Sequence, residues 1–299
     1  MMMFESFKYQ SMTVAAIVLL LVISACRTTQ SIPSSSNTAN ESNTPADGSS
    51  RSEAATDKGD LKLRYRAPRN TKALIANLSV TSKEALEKLI TELNQRVKLP
   101  FDLYVSFEDC DEPNAFYDPE LHQVTMCYQL LDDYYDLFAT QTKDTEKLHA
   151  LVKATAASTF FHELGHALVH LWNIPVTGRE EDAVDQLATL VLLERTENGE
   201  QMALEGAMSF KLYADLSKNE PKVYWDEHSL DEQRFYDTIC LVYGHNDKGH
   251  QNLVRSGTLP VERAMNCVGE YEKLRDAWQQ LLAPYLKNND APPSNLKLR

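Results

Sequence analysis

The spacing of apolar and polar residues divides the chain into three parts. Residues 12–25 form a short apolar run, residues 27–60 contain almost no large apolar residue, and regularly spaced apolar positions begin at Leu61. Regular spacing indicates elements that bury one face, whereas a polar segment without it cannot bury enough surface to fold. We therefore predict one folded region, residues 61–299, which is long enough for one large domain or two small lobes.

The beginning of this region has the pattern of a small sheet. Apolar and polar residues alternate in 61–66 and in 101–107, as expected of half-buried strands. Residues 115–127 have the pattern of two short strands around an Asp-Pro turn. Between the first two strands, residues 82–97 carry leucine and isoleucine at helical spacing, which predicts a helix.

The rest of the region is predicted to be mainly helical. A long helix is expected from about residue 145 to 172, where Pro175 prevents its continuation, and a second helix from 180 to 195. Further helical spacing is present near 200–217, 230–243 and 260–286. Strands followed by a run of helices indicate an α+β domain, with a small N-terminal strand region and a mainly helical remainder.

Charge narrows the possible partners. The formal net charge is −13, which argues against a surface that binds nucleic acid or anionic lipid, because both require positive charge. We therefore expect no nucleic-acid partner. The chain also contains no internal repeat, so a solenoid or propeller is not expected.

Residues 1–25 are predicted to be an export signal. Lys8 supplies a positive charge, and the apolar run is too short to span a bilayer, for which about 20 residues are needed. Small residues before Cys26 resemble a bacterial lipobox, so Cys26 is the expected lipidation site; the alternative is an ordinary signal peptide with an unrelated cysteine. Residues 26–60 would then be a disordered tether. Since Arg27 gives no signal for inner-membrane retention, we expect the outer membrane of a bacterial envelope, facing the periplasm.

The other cysteines agree with an oxidising compartment. Cys110, Cys127, Cys240 and Cys267 are even in number, as expected of disulfides in an exported protein. Three pairings are possible, and proximity in sequence favours Cys110–Cys127 and Cys240–Cys267. The alternative, a zinc site built from cysteines, is disfavoured because the chain has no Cys-x-x-Cys spacing.

The strongest chemical signal is His-Glu-Leu-Gly-His at residues 162–166, in the predicted long helix. His162 and His166 lie one helical turn apart on one face and can bind the same Zn²⁺. Glu163 is next to the first histidine, where a carboxylate can take a proton from a water molecule and act as the catalytic base. The flanking residues are apolar, as expected of a buried helix that presents a polar site.

A catalytic zinc site usually has three protein ligands, so a third must be found. His170 lies about 12 Å along the helix from His162 and cannot bind the same ion. The following turn allows the next helix to return antiparallel, and that helix begins with three acidic residues. Glu181 is the preferred ligand, with Glu180 and Asp182 as alternatives, and Asp185 can accept a hydrogen bond from a ligand histidine.

These motifs resemble the gluzincin pattern of zinc metallopeptidases. More widely, residues 101–278 are similar to a family of bacterial proteins called putative metallopeptidases. The similarity rests on the motif helix and on the short motifs Ala115-Phe-Tyr-Asp-Pro, Cys127-Tyr, Gly178-Arg-Glu-Glu-Asp, Gln233-Arg-Phe-Tyr and Leu259-Pro. It implies a zincin-like fold in which a strand beside the motif helix holds an extended substrate.

The expected function is therefore zinc-dependent hydrolysis of peptide bonds in a protein or peptide substrate. His162, His166 and Glu181 would bind the metal, and Glu163 would move the proton. No donor to the transition state is assigned among the downstream candidates, which are Tyr236, Tyr243, His228, His245 and His250. Two alternatives remain: a catalytically silent lipoprotein that uses the zinc fold for binding or assembly, and a metal-dependent amidase that acts on cell-wall peptide.

Overall fold

The computed structural model describes residues 56–68 and 79–287, with the side chains of 79–82 left out. The chain divides into the units Met1–Ser50 and Arg51–Arg299, and every described residue belongs to the second. The predicted signal peptide, Cys26 and most of the predicted tether therefore lie outside the described residues. The end of the tether, 56–60, is held to the domain, since the backbone N–H groups of Lys58 and Gly59 both donate to the carbonyl of Leu99.

The sheet has four strands: β1 (Leu61–Tyr65), β2 (Leu103–Glu108), β3 (Ala115–Asp118) and β4 (Gln123–Cys127). Their order is β1-β2-β4-β3; β1, β2 and β4 are parallel, and β3 is antiparallel to β4 at the edge. Helix α1 (Ser79–Arg96) connects β1 to β2, as a parallel pair requires a crossover. The inner strands β2 and β4 supply fully buried side chains to the core, including Leu103, Val105 and Val124.

Helices make up the rest of the described chain. They are α2 (Tyr128–Ala139), α3 (Thr145–Trp172), α4 (Glu180–Arg195), α5 (Gly199–Leu216), α6 (Asp231–His245), α7 (Gln251–Arg255) and α8 (Val261–Leu282), followed by a 3₁₀ turn, Ala283–Tyr285. The described part of the chain has no helix with the length and apolarity needed to cross a membrane.

Helix α3 is the central element and begins and ends with defined caps. Asp144 accepts hydrogen bonds from the first-turn N–H groups of Glu146 and Lys147. The helix ends at Asn173, whose left-handed backbone (φ 48°, ψ 48°) stops the helical hydrogen bonds. Between its caps, α3 packs against β3 and β4 on one side and against α4 and α5 on the other.

The predicted α+β class is confirmed, and the predicted bounds of α3 and α4 agree with the structure. Two helices, α2 and α7, were not predicted. In α2 the signal is present, because Tyr128, Leu131, Tyr134 and Leu137 recur at helical spacing, but α2 follows β4 with no intervening loop residue. Strand β2 begins two residues later than predicted, and Phe101 before it is exposed.

Two disulfides are present in the described chain. They join Cys110 to Cys127 and Cys240 to Cys267, which is the pairing that proximity in sequence favours. The first ties the end of β4 to the loop after β2, and the second ties α6 to α8. Both therefore link elements that lie close to one another along the chain.

Candidate metal centre

The two motif histidines point their Nε2 atoms towards each other. His162 and His166 lie near the middle of α3, one turn apart, and their Nε2 atoms are 3.3 Å apart. His162 is buried, as is Glu163 between them in sequence. Burial of polar side chains in the middle of an otherwise apolar helix is costly unless they have partners, so the surrounding elements must supply those partners.

Helix α4 supplies the first partner because it packs very closely against α3. A Cβ atom at Gly165 would lie 2.9 Å from Cβ of Val184 on α4, which is closer than two carbon atoms can pack. The glycine inside the motif is therefore a packing requirement. Its absent side chain lets the backbone of α4 approach α3, so that the first turn of α4 reaches the histidines.

Glu181 is the acidic residue that this approach brings to both histidines. Its Oε2 atom lies 3.1 Å from Nε2 of His162 and 3.3 Å from Nε2 of His166. The other two candidates lie elsewhere: Glu180 contacts the opposite nitrogen of His166, and Asp182 accepts a hydrogen bond from Ser229. Of the three acidic residues that begin α4, only Glu181 reaches both Nε2 atoms.

The three donor atoms have the spacing of a zinc site. Tetrahedral zinc with nitrogen and oxygen ligands at about 2.0–2.1 Å needs ligand atoms roughly 3.3–3.4 Å apart. The observed separations among His162, His166 and Glu181 are 3.3, 3.1 and 3.3 Å. Two imidazoles and one carboxylate are also a donor set that zinc uses in catalytic sites. The chemistry and the spacing of these residues therefore fit the metal that the motif predicts.

The other nitrogen of each histidine is held by a carboxylate. Asp185 lies 2.7 Å from Nδ1 of His162, as expected from the sequence, and Glu180 lies 2.8 Å from Nδ1 of His166. Because a carboxylate accepts, each Nδ1 carries the proton and each Nε2 is left to bind a metal. Glu180 thus takes the same role as Asp185, which the sequence did not predict.

Arg234 on α6 was not assigned a role from the sequence. Its Nε and Nη2 atoms donate to the two oxygens of Asp185 at 2.7 and 2.9 Å, and its guanidinium lies 4.1 Å from the ring centroid of Phe210. It therefore fixes the carboxylate that orients His162. In the sequence, the only feature that singled out Arg234 was its position in the Gln233-Arg-Phe-Tyr motif. That motif lies about 70 residues from His166.

His228, in the loop before α6, is the remaining imidazole at the site. Its Nε2 lies 3.0 Å from Oε2 of Glu181, and its ring stacks at 6.2 Å from that of His162. His162, Glu181 and His228 also form a group whose donor atoms lie within 4.8 Å of one another. Nδ1 of His228 lies 3.4 Å from the carboxylate of Asp226, farther than the 2.7 and 2.8 Å that separate the Nδ1 atoms of the motif histidines from their carboxylates.

The remaining donor candidates are engaged outside this site. His245 contacts Tyr271, His250 contacts Glu200, and Tyr243 accepts a hydrogen bond from Gln251. Tyr236 packs against Phe235 and is partly exposed. His170, which was excluded as a ligand, lies 2.9 Å from the hydroxyl of Tyr117 on β3. Of the five downstream candidates, the structure therefore brings only His228 to the motif at residues 162–166.

His162 and Glu181 favour their charged forms, although burial alone would favour the neutral forms. Burial acts to lower the pKa of His162, but hydrogen bonds with Asp185 and Glu181 outweigh it and raise that pKa to about 9. The pKa of Glu181 is lowered, since its hydrogen bonds to His162, His166 and His228 outweigh its burial. Burial raises the pKa of Glu163 above its ordinary value. A carboxylate that accepts a proton more readily than usual is suited to act as a base.

A family model described as a putative metallopeptidase matches residues 65–282 of the chain. The match spans β2 to β4, the motif helix and all the residues of the candidate metal centre, and it confirms the resemblance that the short motifs indicated. Comparisons with curated proteins and with solved structures gave no match.

Proposed function

The chain belongs to the putative metallopeptidase family, and on this basis we propose that it is a zinc-dependent peptidase that uses Glu163 as its general base. The observation that carries the proposal is the spacing of three donor atoms, on His162, His166 and Glu181, beside a buried glutamate. Zinc bound by these three residues would polarise a water molecule and the carbonyl group of the substrate.

The outer contacts support His166 rather than His228 as the second histidine ligand. Ligand histidines usually donate their other N–H to a carboxylate or carbonyl, which fixes the ring. His166 does so to Glu180 at 2.8 Å, whereas Nδ1 of His228 lies 3.4 Å from the carboxylate of Asp226. We assign His228 a different role, which is to donate a hydrogen bond to the carbonyl oxygen as it gains negative charge. The hydrogen bond to Glu181 raises the pKa of His228, which favours the protonated form needed for this.

Glu163 carries the proton through the reaction. It lines the same cavity as His162 and His228, so it can reach a water molecule that approaches a bound peptide. It would accept a proton as that water attacks the carbonyl carbon, and would donate it to the amine that leaves. The pKa of Glu163 is raised, which makes its protonated and ionised forms closer in free energy near neutral pH. A group that both takes and gives a proton needs this property.

The envelope location is part of the proposal. We propose that residues 1–25 are removed on export, that Cys26 carries the lipid anchor, and that the domain faces the periplasm from the outer membrane. Two disulfides in the folded domain support an oxidising compartment. Labelling cells with a fatty-acid analogue tests this, since the label should enter the wild-type chain and be absent from Cys26→Ala. A wild-type chain without label would contradict the anchor.

Zinc content and peptide cleavage test the catalytic proposal together. The wild-type chain should bind one zinc and cleave members of a broad peptide library, and Glu163→Gln should keep the zinc but lose at least about 100-fold in kcat/KM. Glu146→Gln is a matched control, because Glu146 is an exposed glutamate in the first turn of the same helix. It should leave cleavage unchanged.

Two further variants separate the metal ligands from the proposed donor. His166→Ala should lose zinc, whereas His228→Gln should keep one zinc and lose activity. One bound zinc with no cleavage of any peptide by the wild-type chain would refute the peptidase proposal and favour a silent binding role. Cleavage of cell-wall peptide alone would favour the amidase.

A further inference from the structure

A polar cavity runs from the metal centre along α3 towards the start of that helix. Its volume is about 380 Å³, and the α3 residues that line it extend from Glu163 and His162 back to Thr155. At 1.5 Å per residue, His162 and Thr155 lie about 10 Å apart along the helix. Helices α2, α5 and α6 form most of the other walls, and residues 113–115, Asp185 on α4 and His228 complete them. The cavity therefore extends along α3 far enough to accommodate a long side chain of a peptide bound at the metal centre.

Thr155, at the far end, has an unused hydrogen-bonding group. The residue is 2% exposed, and its Oγ1 atom has no hydrogen-bond partner in the part of the chain that the structure describes. A buried hydroxyl without a partner is costly and uncommon. The neighbouring hydroxyls are paired, since Thr159 on the next turn lies 2.8 Å from the hydroxyl of Tyr134. The hydroxyl of Thr155 is therefore available to a group that enters the cavity.

Several carboxylates lie on the walls of the cavity. Besides the base Glu163, its walls carry the carboxylates of Asp133, Asp185 and Asp231. Histidines aside, Arg234 is the one cationic side chain among the described lining residues, and it is already held by both oxygens of Asp185. Arg234 is therefore engaged by Asp185 and is not paired with the other carboxylates of the wall.

Asp133 on α2 is the acidic group best placed to bind a ligand. It accepts a hydrogen bond from the hydroxyl of Tyr213 on α5, which holds the carboxylate in place without neutralising its charge. No ion pair joins it to a cation among the described residues. A carboxylate and a free hydroxyl that line one cavity are complementary to a long side chain that ends in several N–H donors.

We propose that this cavity is a specificity pocket for a lysine or arginine side chain next to the bond that is cleaved. The inference rests on the proposed peptidase function and adds the substrate class to it. The ammonium or guanidinium group would bind Asp133 and donate to Thr155, and the aliphatic part of the side chain would lie along α3 between the pocket and the metal centre.

Binding and cleavage are measured on one set of peptides. The set consists of short Ala/Gly peptides in which a single lysine is moved through every position, with norleucine and glutamate counterparts. Binding to the zinc-loaded Glu163→Gln chain is followed by fluorescence anisotropy, and cleavage is followed with the wild-type chain. At one position, lysine should bind about 30-fold more tightly than norleucine, as expected of a partly buried ion pair.

Variants test the pocket residue by residue. Asp133→Asn should remove the preference for lysine, whereas Asp136→Asn, an exposed aspartate on the same helix, should retain it. Thr155→Val should leave the chain at least as stable to heat, because the removed hydroxyl has no partner, and should weaken lysine binding several-fold. This variant keeps the test decisive if Asp133→Asn fails to fold.

The outcomes separate the pocket from the catalytic proposal. Lysine preference in binding without any cleavage supports the pocket and refutes the peptidase function. Cleavage with no preference for a basic residue supports the function and overturns the pocket. A preference for lysine that survives both Asp133→Asn and Thr155→Val also overturns the pocket as located here.

Discussion

The pH dependence of zinc binding follows directly from the contacts of His162. A metal binds the neutral imidazole, but hydrogen bonds with Asp185 and Glu181 raise the pKa of His162 to about 9 in the metal-free chain. About 1% of His162 is then neutral at pH 7, so the apparent affinity for zinc should be about 100-fold weaker than at high pH. Glu181 adds nothing to this dependence, since its lowered pKa leaves it ionised throughout.

The expected affinity rises at least about tenfold for each pH unit above pH 7, because the pKa of His166 is raised as well, and the contribution of His162 levels off near pH 9. Zinc affinity is measured by competition with a chelator at constant ionic strength, with correction for the chelator's own protonation. Calorimetry in buffers of different ionisation enthalpy should give at least about one proton released per zinc at pH 7. An affinity that does not change between pH 7 and 9 would refute the assignment of a charged His162.

Two further measurements test whether the pKa of His162 is raised by its carboxylate contacts. Asp185→Asn removes a carboxylate that raises the pKa of His162, so the rise in affinity between pH 7 and 9 should flatten. The stability of the metal-free chain should change in the opposite direction to zinc affinity. Because the folded-state pKa of His162 is raised above about 6.5, its stabilising contribution is complete below pH 6.5 and is lost as the pH rises through about 9. This loss should not exceed about 3.4 kcal/mol, the free energy that corresponds to a pKa raised from 6.5 to about 9.

Three other changes test how the domain supports the site. Gly165→Ala should weaken zinc binding at least tenfold, as measured by chelator competition, because the new methyl group pushes α4 away from α3; Gly269→Ala, with open space around it on α8, should leave zinc binding unchanged. Arg234→Met should lower the free energy of unfolding in urea by about 3 kcal/mol, since it leaves a partly buried carboxylate without its cation; an equally stable variant would contradict this role. Replacing Cys240 and Cys267 with alanine should cost about 3.5 kcal/mol in the same assay, from the 27-residue separation that the disulfide closes.

Local signals explain which parts of the fold the sequence could predict. The bounds of α3 and α4 follow from apolar spacing and from Pro175, all within a few turns of each helix. Helix α2 shows where such signals fail. It follows β4 without a loop, and the disulfide at Cys127 and the apolar residues around it suit either a strand or a helix. Whether this segment forms a strand or a helix therefore depends on which neighbouring elements pack against it.

The sequence by itself determined the zinc motif, because two histidines four residues apart share a helix face wherever that helix lies. It also indicated Glu181 and Asp185, which are on the adjacent helix, although it could not separate Glu181 from Glu180. Only the tertiary structure shows that, of Glu180, Glu181 and Asp182, it is Glu181 that reaches both motif histidines, through the close packing at Gly165.

Only the tertiary structure could show that Arg234, His228 and the acidic pocket at Asp133 lie beside the motif. These residues come from segments 29 or more positions from the motif, on α2, on α6 and in the loop before α6. No periodicity connects such segments, because periodicity reports only the face of one element. Their distances to the metal centre are set by how the helices pack, and packing depends on every side chain between them.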